Sequence, residues 1–539
     1  MQWLRRVSQA AFLLLFLWLL LGAHLAEGNV PRRGLKLFFD LDPLVSLATI
    51  ISTRTLEAGA LLALITVVAA LLLGRVFCGW ICPLGTVHTM ASWFRKKPRP
   101  GGEAESRSPW HRLKYALLIT LLTMALFGVH WIGVFDPIPL LYRSVTTAVL
   151  PAVQYAIEDS ATAVYQADPQ AGAFHLTSIT EPAYVFSRDK LFQAERQTFT
   201  GATLIALFFI GIVALNLLRP RFWCRYLCPL GGLLGLLAQR PLLRLRNDPD
   251  KCRSCGHCTM NCPAAAQPGP PGEWLATECF GCWNCVAGCK FNSLSFGFSL
   301  PRAPAEKAGL DLSRRTALSA GAGGVAALLS FRLPPQARDA QPYTPTLIRP
   351  PGARAERDFV QRCIQCGACM RACPTNALQP TALEAGIEGL WTPKLVPKIG
   401  YCLDSCSRCG QVCPTGAIEP LPIEVKRKRK IGLAAVDRNR CLPFAYGREC
   451  LVCEEHCPLT PKAIYLVERE VTLRGGERRV VKQPLVDPDQ CTGCGICEWA
   501  CVFKDRAAIR VTSANEARHP ANQPILPSPT GQEASGPYG

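Results

Sequence analysis

Cys252-Arg253-Ser254-Cys255-Gly256-His257-Cys258-Thr259-Met260-Asn261-Cys262-Pro263 is answered by Cys279-Phe280-Gly281-Cys282-Trp283-Asn284-Cys285-Val286-Ala287-Gly288-Cys289-Lys290-Phe291, with the same gaps between cysteines. Disulfides do not require short fixed gaps, and zinc sites usually show two separated cysteine pairs. Three close thiolates followed by a fourth instead suit two neighbouring [4Fe-4S] cubes, the fourth thiolate reaching across to the other cube. The expected groupings are therefore Cys252, Cys255 and Cys258 with Cys289, and Cys279, Cys282 and Cys285 with Cys262. Gly256 and Gly281 suit a backbone folded tightly around a cube.

Working outward, four more quartets follow. Cys363, Cys366, Cys369 and Cys373 keep these gaps, as do Cys491, Cys494, Cys497 and Cys501. Between them, Cys402, Cys406, Cys409 and Cys413 widen the first gap by one residue, and Cys441, Cys450, Cys453 and Cys457 widen it to eight. Six [4Fe-4S] clusters are expected from these 24 cysteines. In the last four quartets we expect nesting, first with fourth and second with third, because Cys501-Val502-Phe503 echoes Cys289-Lys290-Phe291; sequential pairing is the alternative. The remaining four of the 28 cysteines, Cys78, Cys82, Cys224 and Cys228, form two C-x3-C-P motifs. Three readings stay open for them: redox-active thiols, a shared metal or cluster site, or a structural role. The duplication favours a joint site.

Apolar residues make up 49% of the 539 and charged ones only 18%, so membrane segments are to be sought. Four apolar runs approach spanning length: Ala10 to Leu25, Ala58 to Leu73, Tyr115 to Val134 and Ala202 to Leu218. Residues 75–114 carry eight Lys or Arg against two acids and residues 219–251 seven against two, whereas residues 135–200 carry four against seven. The positive-inside rule then starts the chain in the cytoplasm and returns it there after the second and fourth runs. Much of the net charge of +19 is thereby assigned to orientation, not to nucleic acid. The first run is expected to be a retained helix; a cleaved signal would leave the other spans unchanged. Leu41-Asp42-Pro43 and Phe135-Asp136-Pro137 recur after the first and third runs, as the C-x3-C-P motifs do after the second and fourth. An internal duplication about an axis along the membrane normal follows.

Ser313-Arg314-Arg315 before a mildly apolar run reads as a twin-arginine export signal, or as a fifth, uncleaved span. The expected organisation is a four-span membrane domain (1–240), a cytoplasmic two-cluster ferredoxin domain (241–300), a linker with the twin-arginine signal or anchor (301–340), a periplasmic four-cluster domain (341–512) and a disordered tail (513–539). The fold class is membrane α-helical joined to α+β ferredoxin-type domains. His130 is expected as an interfacial anchor rather than a quinol ligand. Lys426-Arg427-Lys428-Arg429-Lys430 is expected as a solvated loop, a docking patch being the sharper alternative. Without a haem attachment site, dinucleotide fingerprint or P-loop, the chain is expected to carry electrons, as a quinol-oxidising component at most, rather than to transform a dedicated substrate.

With these motifs in view, residues 1 to about 300 resemble the membrane polyferredoxin NapH and its relative MauN. Residues 313 to about 510 resemble the twin-arginine-exported ferredoxin NapG. The resemblance implies a fusion of the two in the bacterial inner membrane, passing electrons from the quinol pool to a periplasmic oxidoreductase or cytochrome, typically nitrate reductase. An assembly factor for a periplasmic metalloenzyme and a membrane redox sensor are the alternatives.

Overall fold

A computed structural model describes residues 1–25, 33–56, 59–94, 109–167, 170–171, 174–175, 177–192, 196–269, 274–299, 312–332, 344–472 and 476–519. The first apolar run reaches back to the N-terminus as the helix Gln2–Leu25. Its 24 residues extend about 36 Å at 1.5 Å per residue, enough for a hydrocarbon core of about 30 Å.

The expectation of four spans is corrected. Among the described residues only the N-terminal helix is long and apolar enough to cross a membrane; Pro43–Thr53, Ala60–Leu73 and Ala202–Leu217 are apolar but shorter. Glycines in the left-handed region mark three of the helix ends, and Gly128 falls inside the third expected span. Gly74 (φ 79°) ends the second run at Leu73, Gly128 (φ 78°) follows the end of Leu113–Leu126, and Gly201 (φ 76°) opens Ala202–Ala214. A fourteen-residue helix covers only about 21 Å.

The duplicated motifs fold alike. Asp42 accepts hydrogen bonds from the Leu44 and Val45 amides (2.9 and 3.3 Å) and caps the helix Pro43–Thr53, while Asp136 accepts from Ile138 (3.0 Å) and caps Pro137–Ser144. Each C-x3-C-P motif makes a π-helical turn, Phe77–Ile81 or Trp223–Leu227, and then caps an α-helix with its second cysteine. Cys82 Sγ accepts from Gly85 N (3.4 Å) and Cys228 Sγ from Gly231 N (3.2 Å), with Pro83 and Pro229 at the first helical positions. Proline fits there because that amide has no intrahelical partner.

The twin-arginine segment is an intact helix, Arg314–Arg332, lying parallel to Leu113–Leu126. Small residues permit the approach: Thr120 Oγ1 donates to the Ala320 carbonyl (3.0 Å), Gly324 lies against Thr120 and Thr123, and the Phe331 and Trp131 rings are 4.8 Å apart.

Three cysteine-rich units complete the chain, each closed by a short antiparallel pairing. Leu243–Asn247 pairs with Leu294–Phe298 around the first two quartets. A bridge between Ala353 and Ile418 closes the next two, and Leu433–Val436 pairs with Ile509–Thr512 around the last two. The disordered tail is corrected at its start: Ser513 Oγ donates to the Thr344 carbonyl (2.7 Å) and Arg518 to Glu356 (2.9 Å). Residues 520–539, and much of the expected linker, lie outside the described residues.

Two cores result. One contains Phe16, Leu20, Leu44, Leu140 and Trp223 and takes in all four C-x3-C-P cysteines together with Cys282 and Cys366. The other, built on Phe359, Met370, Ile418, Ile464 and Ile509, packs around the C-terminal sulfurs.

Candidate metal centres

In the first unit Cys262 lies within electrostatic reach of Cys282, Cys279 of Cys282 and Cys262, and Cys285 of all three. That is the exchanged grouping read from the spacing. Burial, then the neighbouring thiols, push Cys262 up to about 11 and Cys279 up to about 12. In the other quartet Cys258 feels Cys255, which is exposed, and Cys289 Sγ stands 3.2 Å from Ser293 Oγ.

The C-terminal grouping corrects the nested expectation. Cys363, Cys366 and Cys369 are gathered with Cys413; Cys402, Cys406 and Cys409 with Cys373. Cys441, Cys450 and Cys453 are gathered with Cys501, and Cys491, Cys494 and Cys497 with Cys457. Pairing is sequential because the Ala353–Ile418 bridge and the Leu433–Val436 strand pair each enclose two consecutive quartets. The two pairs meet where Cys402 N donates to the Cys494 carbonyl (2.8 Å).

These donors fit cubes. Burial and mutual repulsion raise the thiols, as for Cys366 and Cys402, each pushed up to about 12, so thiolate form there requires a cationic partner such as iron. Among the described residues no three His, Cys, Asp or Glu close on a single-ion site. Zinc would draw its sulfurs to about 3.8 Å from one another, given bonds of about 2.3 Å in a tetrahedron. When bound, a [4Fe-4S] cube accepts and releases one electron.

The basic run is corrected in part: it begins on the helix Ile423–Lys428, and while Arg427 and Lys428 are exposed as expected, Lys426 is not. Lys426 is buried and donates to the Leu403 and Asp404 carbonyls (2.7 and 3.1 Å), beside Cys402 and Cys406. His130 is corrected too. It is buried, its Nε2 lies 3.3 Å from Thr49 Oγ1, and its carbonyl accepts from Gln365 Nε2 (3.2 Å), so it sits in a joint between units.

The two C-x3-C-P motifs converge. Arg75 Nη2 donates to the Cys224 carbonyl (3.4 Å) and Arg221 Nη1 to the Cys78 carbonyl (3.0 Å), so each motif's arginine holds the other's first cysteine. Both guanidiniums lie over the Phe280 ring, at 5.0 and 4.9 Å. Cys82 feels Cys78 and Cys224, and Cys228 feels Cys224, Cys78 and Asp136; burial is the largest cause holding both thiols up. Arg75, Arg221 and Phe280 escaped the sequence reading. Only the repeated Arg three residues before each first cysteine could have flagged the two arginines.

A ferredoxin loop docks on this core from each side. Gly79 lies so close to Phe280 that a Cβ would stand 2.2 Å from its carbonyl oxygen, and Trp80 Nε1 donates to the Gly281 carbonyl (2.9 Å). Arg75 and Lys114 pair with buried Glu278, which precedes Cys279. Opposite, a Cβ on Gly133 would stand 1.8 Å from the Ile364 carbonyl oxygen, and Arg143 Nη1 donates to the Gln365 and Gly133 carbonyls (3.0 and 3.3 Å). Phe280 and Gly281 lie between Cys279 and Cys282; Ile364 and Gln365 lie between Cys363 and Cys366.

Consecutive cysteine quartets that trade their fourth thiol inside short strand brackets define ferredoxin units of the bacterial [4Fe-4S] class. One 4Fe-4S binding domain family matches residues 56–100 and 201–246, a second family of the same description matches 484–501, and the 4Fe-4S dicluster domain family matches 362–417. The methylamine utilization ferredoxin-type protein MauM of Methylorubrum extorquens is 38% identical over 222 residues, 40% of this chain and 97% of MauM. The ferredoxin-type protein NapG of Escherichia coli is 37% identical over 172 residues, 32% of this chain and 72% of NapG. YccM of Escherichia coli, a candidate electron transport protein by name, is 28% identical over 260 residues, 48% of this chain and 61% of YccM. The chain belongs to the ferredoxin-type protein family of MauM and NapG. No solved structure matches.

Proposed function

We propose that the chain is a membrane-bound iron–sulfur conduit passing electrons from the quinol pool to a periplasmic oxidoreductase. The 24 quartet cysteines would hold six [4Fe-4S] clusters, the NapH- or MauN-like part would supply the membrane end, and the NapG-like part the periplasmic end. The observation carrying this reading is the position of the ferredoxin units along the helix Gln2–Leu25. Gln2 and Arg5 donate to Asn284 Oδ1 (both 3.3 Å) in the first unit, while the Leu20 carbonyl accepts from Arg371 Nε (3.4 Å) in the second. Units at opposite ends of one membrane-length helix suit cytoplasmic and periplasmic faces.

Electron entry fits beside the first unit. A cavity of about 500 Å³ opens there, lined by Gln2, Arg5, Gln9, Trp93, Arg221 and Asn284 among others, a volume in the range of small-molecule sites. A periplasmic reductase of the nitrate-reducing kind is the acceptor favoured by the resemblance to NapG.

The test is EPR of membranes containing the full chain, mixed anaerobically with a soluble quinol analogue. Signals of reduced clusters are expected. Signals raised by dithionite but not by the quinol would overturn quinol as donor. If a deletion strain also left the periplasmic enzyme without its cofactor, the assembly role would stand instead.

A further inference from the structure

The four C-terminal centres stand in a line. The Cys363 group abuts the helical core, its Ile364 carbonyl against Gly133 and its Gln365 carbonyl accepting from Arg143 (3.0 Å). Cys369 feels Cys409 of the Cys402 group. That group meets the Cys491 group at the Cys402–Cys494 hydrogen bond, where buried Lys426 is within electrostatic reach of both cysteines. Cys497 feels Cys453, which brings in the Cys441 group last. Outward from the core the order is therefore Cys363, Cys402, Cys491 and Cys441, which reverses the last two quartets relative to the chain.

The far end of this line is open where the near end is closed. Two residues separate Cys363 from Cys366, and Ile364 there is 1% exposed. Eight separate Cys441 from Cys450, the widest gap in any quartet. Cube ligation does not need that length, since two residues suffice elsewhere. The extra residues make the short helix Leu442–Ala445 and a turn through Gly447 (φ 59°), which leaves Tyr446 57% exposed beside exposed Arg448 and Glu449. Val502, which follows Cys501, is 48% exposed. Leu442 and Val502 line the same cavity as Cys441, Cys450, Cys453 and Cys501, so apolar side chains run from solvent to this centre.

Charge around the opening is unequal. Arg440 pairs with Asp505 (2.9 Å) and Arg506 with Asp437 (3.8 Å). Beyond those pairs, residues 437–449 and 502–506 expose Arg438, Arg448 and Lys504 against Glu449 alone. An apolar centre with a charged rim is the anatomy of a specific but transient interface, and a cationic rim selects an acidic partner.

We propose that the Cys441 group is the electron exit, and that the inserted loop 442–449, with Val502 and Lys504, docks a soluble redox protein presenting an acidic face around its own cofactor. This deepens the conduit reading and rests on it for the direction of flow. Each transfer takes one electron from this centre and gives one to the partner's cofactor. No bond forms or breaks and no proton moves.

The probe is a small acidic flavodoxin, mixed without oxygen with the full chain, both oxidised so that no electron flows. Hydrogen–deuterium exchange read by mass spectrometry should show protection of residues 442–449 and 502–506. Calorimetry should show binding that weakens as salt shortens the Debye length to about 3 Å at 1 M. Arg448→Glu with Lys504→Glu should weaken binding at least tenfold and Tyr446→Ser at least threefold, with the EPR of the dithionite-reduced protein unchanged. No binding, or protection confined to the loop around exposed Cys255, overturns the exit surface. Equal binding of a basic cytochrome c overturns it too, as does protection of 442–449 on concentrating the chain alone, which would give the surface to a second copy. Neither quinol nor electron flow enters this measurement, so failure of the conduit reading shows separately, as clusters that quinol does not reduce.

Discussion

The chain docks a ferredoxin loop onto its helical core twice, with the same steric device and opposite electrostatics. In both joints a glycine admits a carbonyl from between the first two cysteines of a quartet, Phe280 at Gly79 and Ile364 at Gly133. At the first joint the buried cations have a carboxylate: Glu278 takes Arg75 (3.3 Å), Lys114 and the Tyr115 hydroxyl (3.1 Å). At the second, Arg143 donates to carbonyls and lies over the Trp391 ring (4.4 Å), and its Nε and Nη2 are buried without a hydrogen-bond partner among the described residues. Burial lowers Arg143 to about 9, against the nearby Cys366 and Cys363 that raise it. The first joint is thus neutralised by protein, whereas the second has a cation whose natural counter-charge is the thiolate-bound group beside it.

The largest expected effect comes from blocking either close approach. Gly133→Val should cost more than about 3 kcal/mol of docking stability, since backbone on both sides cannot yield. The C-terminal units should become protease-sensitive at their junction while the first unit keeps its EPR signal. Gly79→Val should loosen the other joint instead.

Glu278→Gln follows. It leaves two buried cations short of their counter-charge and should destabilise the first joint by about 3–5 kcal/mol, read as a lower Tm. Arg143→Met should be milder for stability but should lower the reduction potential of the centre at Cys363, because a nearby positive charge favours the reduced, more negative state. Redox titration followed by EPR gives the sign. A potential that does not fall would break the contrast between the joints.

A pH effect is expected at the edge of the C-terminal region. Burial raises Glu356, but Arg349 and Arg518 outweigh it and hold the carboxyl down to about 2, from an ordinary 4.5. Its contribution is therefore complete above 4.5 and is lost as pH falls toward about 2. Glu356→Gln should flatten the acid limb of an unfolding profile in that window. The smallest effect belongs to the exposed hairpin pair Arg478–Glu470 (3.9 Å), where Arg478→Ala should shift stability by no more than about 0.5 kcal/mol.

The cysteine periodicity made the ferredoxin units legible, because a cube dictates local spacing and the exchange of the fourth thiol. It could not reveal which quartets share a unit at the C-terminus. That choice is made by the bridge at Ala353 and Ile418 and by the strand Leu433–Val436, pairings distant in sequence with no composition signal. The apolar runs marked helices, yet the third was overread: hydropathy continues through Gly128 to Val134 while the helix stops at Leu126. The duplication was visible in Asp42-Pro43 and Asp136-Pro137 and in the two C-x3-C-P motifs. Its consequence, arginines traded between halves above Phe280, depends on three segments far apart in the chain. His130 and Lys426 were misjudged for a related reason: each is covered by residues more than twenty positions away.

The most direct test of the account is Mössbauer spectroscopy of the full chain grown on ⁵⁷Fe and purified without oxygen. Spectra in which essentially all the iron is in [4Fe-4S] cubes, with matching acid-labile sulfide, are the predicted result. Protein whose cysteines hold zinc, or are joined as disulfides without inorganic sulfide, would contradict it.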